Sequence, residues 1–306
     1  MTTPKPEVPA PTTALPRRAP RPPDLHKGQA GHVAIFAGSR GLSGAAVLSG
    51  LGALRGGAGL VRVYCAASVQ PIVAVAEPCL MTVPLPEDAD GRIALDPAKV
   101  ELNLDWAHAL AIGPGLGQSD AVAALVAALL VSFAGPVVVD ADGLNNIAAR
   151  GAAVWQPRAA RATVITPHPG EMARLRVGLG LPQCRGADDN TRLAAAHECA
   201  VRAGVTVVLK GHRTVVSTPD ATYVNATGNP GMASGGMGDV LTGLLAALLA
   251  QGLDAFAAAR LGVYCHGLAA DRCARDIAPV GYLAREVADA LPAALADACR
   301  PQIGFR

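Results

Sequence analysis

Apolar positions along this chain fall into two alternating patterns. Short, nearly uninterrupted apolar runs at residues 33–36, 60–64, 109–112, 136–140, 163–166 and 206–210 read as strands buried on both faces. Ala/Leu-rich stretches of helical length separate them, so the chain predicts an α/β fold of three layers, with a mainly parallel central sheet flanked by helices. Residues 214–224 alternate around Pro219-Asp220, as an antiparallel hairpin does. From Val240 onward the pattern is helical, over 240–251, 255–275 and 284–299.

In an open α/β sheet, ligands bind beyond the carboxyl ends of the strands. Four segments there are rich in glycine or polar groups: Gly38-Ser39-Arg40-Gly41-Leu42-Ser43-Gly44-Ala45-Ala46, Gly113-Pro114-Gly115-Leu116-Gly117, Asp140-Ala141-Asp142-Gly143-Leu144-Asn145 and Thr166-Pro167-His168-Pro169-Gly170-Glu171. They are expected to line one rim. Gln118 occupies the last glycine's place in a G-x-G-x-x-G pattern, which argues against a Rossmann dinucleotide site at the second of these.

The strongest signal is Thr227-Gly228-Asn229-Pro230-Gly231-Met232-Ala233-Ser234-Gly235-Gly236-Met237-Gly238-Asp239, with five glycines in thirteen residues, running directly into a helix. Backbone amides without obstructing side chains, at the positive end of a helix dipole, suit a phosphate. No Gly-Lys-Ser/Thr follows, so this is not a Walker A loop. Asp239 has two readings: it caps the helix, or it faces the anion and takes a proton from a hydroxyl attacking phosphorus.

Lys210-Gly211-His212-Arg213-Thr214 ends a buried run in a basic turn. Alone it is an ordinary solvated turn; beside a separate anion loop it fits a polyphosphate. His168 and Glu171, three apart, are too few for a transition-metal centre. Glu171 either begins the following helix or orients water around a Mg²⁺ carried by a nucleotide. His26, His32, His108, His197 and His266 show no ligand spacing.

Composition narrows the partners. A net charge of +2 on 306 residues gives no reason to expect nucleic acid or an acidic membrane. Residues 1–23 hold Lys5, Arg17, Arg18 and Arg21 against Glu7, with eight of the 24 prolines and no apolar run. They read as a disordered, basic, Pro-rich tail and not as a leader or anchor, followed by one domain over 24–306. Seven scattered cysteines without a close pair suit a reducing cytoplasm.

These motifs, in this order from His26-Lys27-Gly28 to Asp239, resemble the ADP- or ATP-dependent NAD(P)H-hydrate dehydratases, a branch of the ribokinase-like superfamily that repairs hydrated nicotinamide cofactors. Gly236-Met237-Gly238-Asp239 is shared with the wider kinase superfamily. Thr166 to Glu171 and Gly228-Asn229-Pro230-Gly231-Met232 resemble the dehydratase branch. The resemblance implies a ribokinase-like fold and the cosubstrates ADP (or ATP) with Mg²⁺. It implies nucleotide contacts at Lys210, Gly211, His212, Arg213, Thr214, Gly235, Gly236 and Gly238. NADHX or NADPHX would meet Ala45, Gly115, Gly117, His168 and the catalytic Asp239, with Glu171 near metal-bound water. His168 stands where related kinases have an asparagine. The resemblance further implies a homo-oligomer, often a tetramer, and an epimerase, which about twenty preceding residues are too few to contain. A kinase that stops at a phosphate ester and a nucleotide sensor without turnover are the rival readings.

Overall fold

The computed structural model describes residues 6–18, 20–96, 102–158, 161–184 and 188–299. Its strands are β1 (Pro11–Thr12), β2 (His32–Phe36), β3 (Leu60–Ala66), β4 (Met81–Leu85), β5 (Ala109–Ile112), β6 (Val137–Val139), β7 (Thr163–Ile165), β8 (Thr206–Leu209), β9 (Val215–Ser217) and β10 (Thr222–Val224). They form one sheet in the order β1-β10-β9-β8-β7-β6-β5-β2-β3-β4. Strands β2 to β8 pair in parallel, and β9 and β10 return antiparallel. The parallel centre is built from Val, Ile, Leu and Ala with almost no exposed surface, because helices cover both faces.

Helices α1 (Ser43–Arg55), α7 (Met237–Ala250), α8 (Ala255–Asp276) and α9 (Ala284–Cys299) pack together as one layer. The other layer comprises α3 (Asp120–Ser132), α4 (Ala141–Ile147), α5 (Pro169–Gly178) and α6 (Asp189–Ala203), while α2 (Gln70–Ala76) lies beside β4. Successive strands leave β2 toward β4, and then β5 enters on the other side of β2. That reversal opens a crevice at the carboxyl ends of β2 and β5.

Where α1 crosses α7, backbone meets backbone. A Cβ on Gly243 would lie 1.8 Å from the Ser49 carbonyl oxygen, and one on Gly52 would lie 2.2 Å from that of Val240. The two helices thereby fix the rim segments that lead into them, one carrying Ala45 and the other Asp239.

Helix α7 begins at Met237 and not at residue 240, and β4 went unanticipated. The described part of the segment read as a disordered tail makes contacts with the rest of the chain. Pro11 and Thr12 pair with Thr222 and Tyr223, the Thr222 hydroxyl donates to the Pro9 carbonyl at 2.7 Å, and Arg21 donates to Gln251 Oε1 at 3.0 Å. Composition tests whether a segment can build its own core; this one borrows a sheet that already exists. Residues 1–5 and Ala19 of that tail, and 300–306 of the expected domain, lie outside the described residues.

Candidate active site

Parallel strands deliver their following loops to one rim: β6 delivers Asp140, β7 His168, and β8 Lys210. Lys210 Nζ donates to Asp140 Oδ1 at 2.5 Å and lies 3.8 Å from Glu171 Oε2. Asp140 is 1% exposed, and its second oxygen accepts from the Thr242 hydroxyl of α7 at 2.7 Å. One lysine therefore ties three strand ends and α7 together. Burial acts to lower the Lys210 pKa, but Asp140, Glu171 and Asp239 outweigh it and hold the ammonium above its ordinary value.

Gly236, at φ 89°, is the N-cap of α7 and supplies no side-chain cap; Asp239 follows in the first helical turn. The capping reading of Asp239 therefore fails in its literal form. Burial, reinforced by the charges of Asp140 and Asp142 and opposed by Lys210, raises its carboxyl to about 7. A carboxylate poised there exchanges protons near neutrality.

His168 caps α5. Its Nδ1 accepts from the Gly170 amide at 3.0 Å and the Glu171 amide at 3.4 Å, while Glu171 Oε2 accepts from the His168 amide at 2.8 Å. The reciprocal capping box satisfies orphan donors at the helix start. With Nδ1 accepting, the proton belongs on Nε2, which lies 3.3 Å from Glu171 Oε1. Glu171 thus takes the helix-starting role held open for it. It is also buried, which raises its pKa against the pull of Lys210.

A cleft of about 630 Å³ opens beside this cluster. Its walls include His168, Lys210, Gly211, His212, Arg213, Thr214 and Gly238. Gly235 and Gly236 sit in the adjoining loop but outside the cleft wall. Ala45, Gly115 and Gly117 form a separate group: a Cβ on Gly115 would meet that of Ala45 at 2.9 Å, and the Gly117 amide donates to Asp142 Oδ2 at 2.9 Å. Asp142, which holds the Gly117 amide, also bears electrostatically on Asp239.

Asp140, Asp142, Thr242 and His266 had no role assigned from the sequence. For the two aspartates the available signal was a pair of carboxylates immediately after an apolar run. Ala141 between them holds φ 48°, an unfavourable value for a residue with a Cβ and one that clusters at functional sites. His266 lines the cleft as a neutral imidazole, its pKa lowered to about 4 chiefly by burial. Among the described residues no three His, Cys, Asp or Glu side chains converge as a metal site, and no helix is long and apolar enough to cross a membrane.

The model of the NAD(P)H-hydrate dehydratase family (Carb_kinase) matches residues 33–293. The chain is 43% identical over 271 residues to the bifunctional NAD(P)H-hydrate repair enzyme Nnr of Moorella thermoacetica, covering 87% of this chain and 49% of that one. It thus spans about half the length of that relative. Over 301 residues it is 35% identical to the ADP-dependent (S)-NAD(P)H-hydrate dehydratase of Xanthomonas campestris pv. campestris, covering 95% and 97% of the two chains. The ADP/ATP-dependent NAD(P)H-hydrate dehydratase of Bacillus subtilis, co-crystallised with ATP/Mg²⁺, superposes with a TM-score of 0.79 at 32% identity, covering 92% and 95%. The three-layer fold is the ribokinase-like one expected from the sequence. With a family match across most of its length and the rim motifs gathered around Lys210 and Asp239, this chain belongs to the NAD(P)H-hydrate dehydratase family.

Proposed function

We propose that this chain is an ADP-dependent (S)-NAD(P)H-hydrate dehydratase that restores NADH or NADPH from the hydrates NADHX or NADPHX. The observation that carries this reading is Asp239, raised to about 7 in the first turn of α7, directly after the cleft-lining Gly238 and interacting electrostatically with Lys210, which lines the cleft. The turn from Lys210 to Thr214 and Gly238 would hold the nucleotide. Ala45, Gly115, Gly117 and His168 would hold the hydrate, and Gly235 and Gly236 would shape the phosphate loop.

Asp239 accepts the proton of the ring hydroxyl as that oxygen attacks the terminal phosphorus of ADP. The new O–P bond forms as the bond to AMP breaks, with the developing charge facing the start of α7 and Lys210. The lone pair of the ring nitrogen then expels phosphate, and loss of a proton from the neighbouring carbon completes the double bond. Asp140 keeps Lys210 charged and in place through both steps. Asp140 and Glu171 already act as acceptors for Lys210, Thr242 and the His168 amide, so a Mg²⁺ would come with the nucleotide's phosphates and neutralise their charge there, with Glu171 no nearer than its water.

Mixing the protein, Mg²⁺, hydrated cofactor and either ADP or ATP should restore the absorbance of the reduced nicotinamide, faster with ADP. A stable phosphate ester without recovered absorbance would instead identify a kinase. Because Asp239 must be ionised to accept a proton, kcat/KM should climb with pH to a plateau above about 7. A flat profile from pH 5.5 to 8.5 would remove Asp239 from the proton transfer.

A further inference from the structure

Arg192 stands in the first turn of α6, where the helix dipole disfavours a cation. Its side chain leaves the helix for the basic turn that follows β8. Nη1 donates to the His212 carbonyl and to that of Arg213 at 3.3 Å, and Nη2 donates to Leu209 at 3.3 Å and Lys210 at 3.5 Å. One planar guanidinium thus gathers four carbonyls of a single turn. Arg192 lines a cavity of about 290 Å³ and is not among the residues lining the 630 Å³ cleft, while Lys210, Gly211 and His212 of the turn line both.

The turn is shaped to admit this group. Gly211 has φ 139°, and a Cβ there would come within 3.1 Å of Nη2. Arg213 sits at φ 53° and is held by its own ion pair with Asp189, Nε to Oδ2 at 2.8 Å. A trans peptide carries its N–H opposite its C=O. Drawing the carbonyls of Lys210, His212 and Arg213 onto Arg192 therefore turns the amides of Gly211, Arg213 and Thr214 away from it, toward the cleft those three residues line.

We propose that Arg192 is a positioning residue that presets the Lys210–Thr214 turn with its amides facing the nucleotide, without touching the nucleotide itself. This rests on the reading that the cleft binds an adenine nucleotide. Lysine cannot replace the fork, since an ammonium is a point donor.

The test measures ADP affinity by calorimetry, together with steady-state kinetics, for the wild type, Arg192→Ala and Arg192→Lys. Arg192→Ala should weaken ADP binding by about tenfold or more and raise its KM equally. At saturating ADP, kcat should fall less than about threefold and the KM for the hydrate should hold. Arg192→Lys should fall between, and added methylguanidinium should recover affinity in Arg192→Ala but not alter the wild type. Should Arg192→Ala fail to fold, Arg192→Lys carries the comparison. ADP affinity within about twofold of wild type in the folded variants would overturn the proposal. So would a parallel loss of kcat and both affinities without rescue, the mark of general damage to the fold. If the wild type itself binds no ADP, the functional reading falls first and this inference with it.

Discussion

Asp239→Asn should lower turnover by about 10²–10⁴-fold while ADP binding stays within about threefold. The amide is nearly isosteric and keeps the start of α7 intact, but it cannot accept a proton. The expected loss is therefore confined to the chemical step. Stability supplies the control. The Asp239 carboxyl titrates at about 7 in the fold against an ordinary 3.8, so the folded protein holds that proton more tightly than the unfolded chain. Stability then declines as pH rises from about 4 to 7, and the full cost persists above it. Asp239→Asn removes the cost and should stabilise the unliganded protein by roughly 2–4 kcal/mol at pH 8, with little gain near pH 4. Thermal melts at the two pH values, beside single-turnover assays, check both halves. A variant that turns over normally would reduce Asp239 to a helix-end carboxylate.

Gly243→Ala should destabilise the protein by about 3 kcal/mol or more. Its Cβ would fall 1.8 Å from the Ser49 carbonyl oxygen and 2.7 Å from the Ala53 nitrogen. Both belong to the backbone of α1, so no side chain can swing away and the helices themselves must part. Activity should fall along with stability, because α1 and α7 carry Ala45 and Asp239 at their starts. Gly44→Ala is the matched control: a Cβ there meets nothing within 4 Å, and alanine is the better helix former by up to about 1 kcal/mol. Urea unfolding of the two variants against wild type decides the matter. A Gly243→Ala protein with an unchanged midpoint would mean that the close crossing of α1 and α7 has been misread.

The parallel centre of the sheet was legible because burial on both faces leaves a plain mark, and β5 and α9 fall at the boundaries their patterns imply. Strand β4 left no such mark. It pairs only with β3, its residues are mostly half-buried, and Pro84 interrupts its pattern. The start of α7 was misplaced because Met237 and Gly238 read as more of the glycine-rich loop. At the site, a residue type after a strand was visible, but its partner was not. Asp140 and Lys210 are seventy positions apart, and only sheet order brings them together. The same holds for Arg192, whose value lies in carbonyl groups that no side-chain pattern reports. The pairing of Pro11 and Thr12 with β10 left no mark either, since composition says nothing about a surface offered by another part of the chain.

That Pro-rich beginning has a consequence for how these molecules meet one another. Among the described residues, the outermost strands on the two sides of the sheet are β1 and β4, and each contains a proline, Pro11 and Pro84. Proline has no amide hydrogen to offer an incoming strand. Both ends of the ladder are thus poor templates for a neighbouring chain, a safeguard against open-ended stacking that a broad, apolar sheet would otherwise invite.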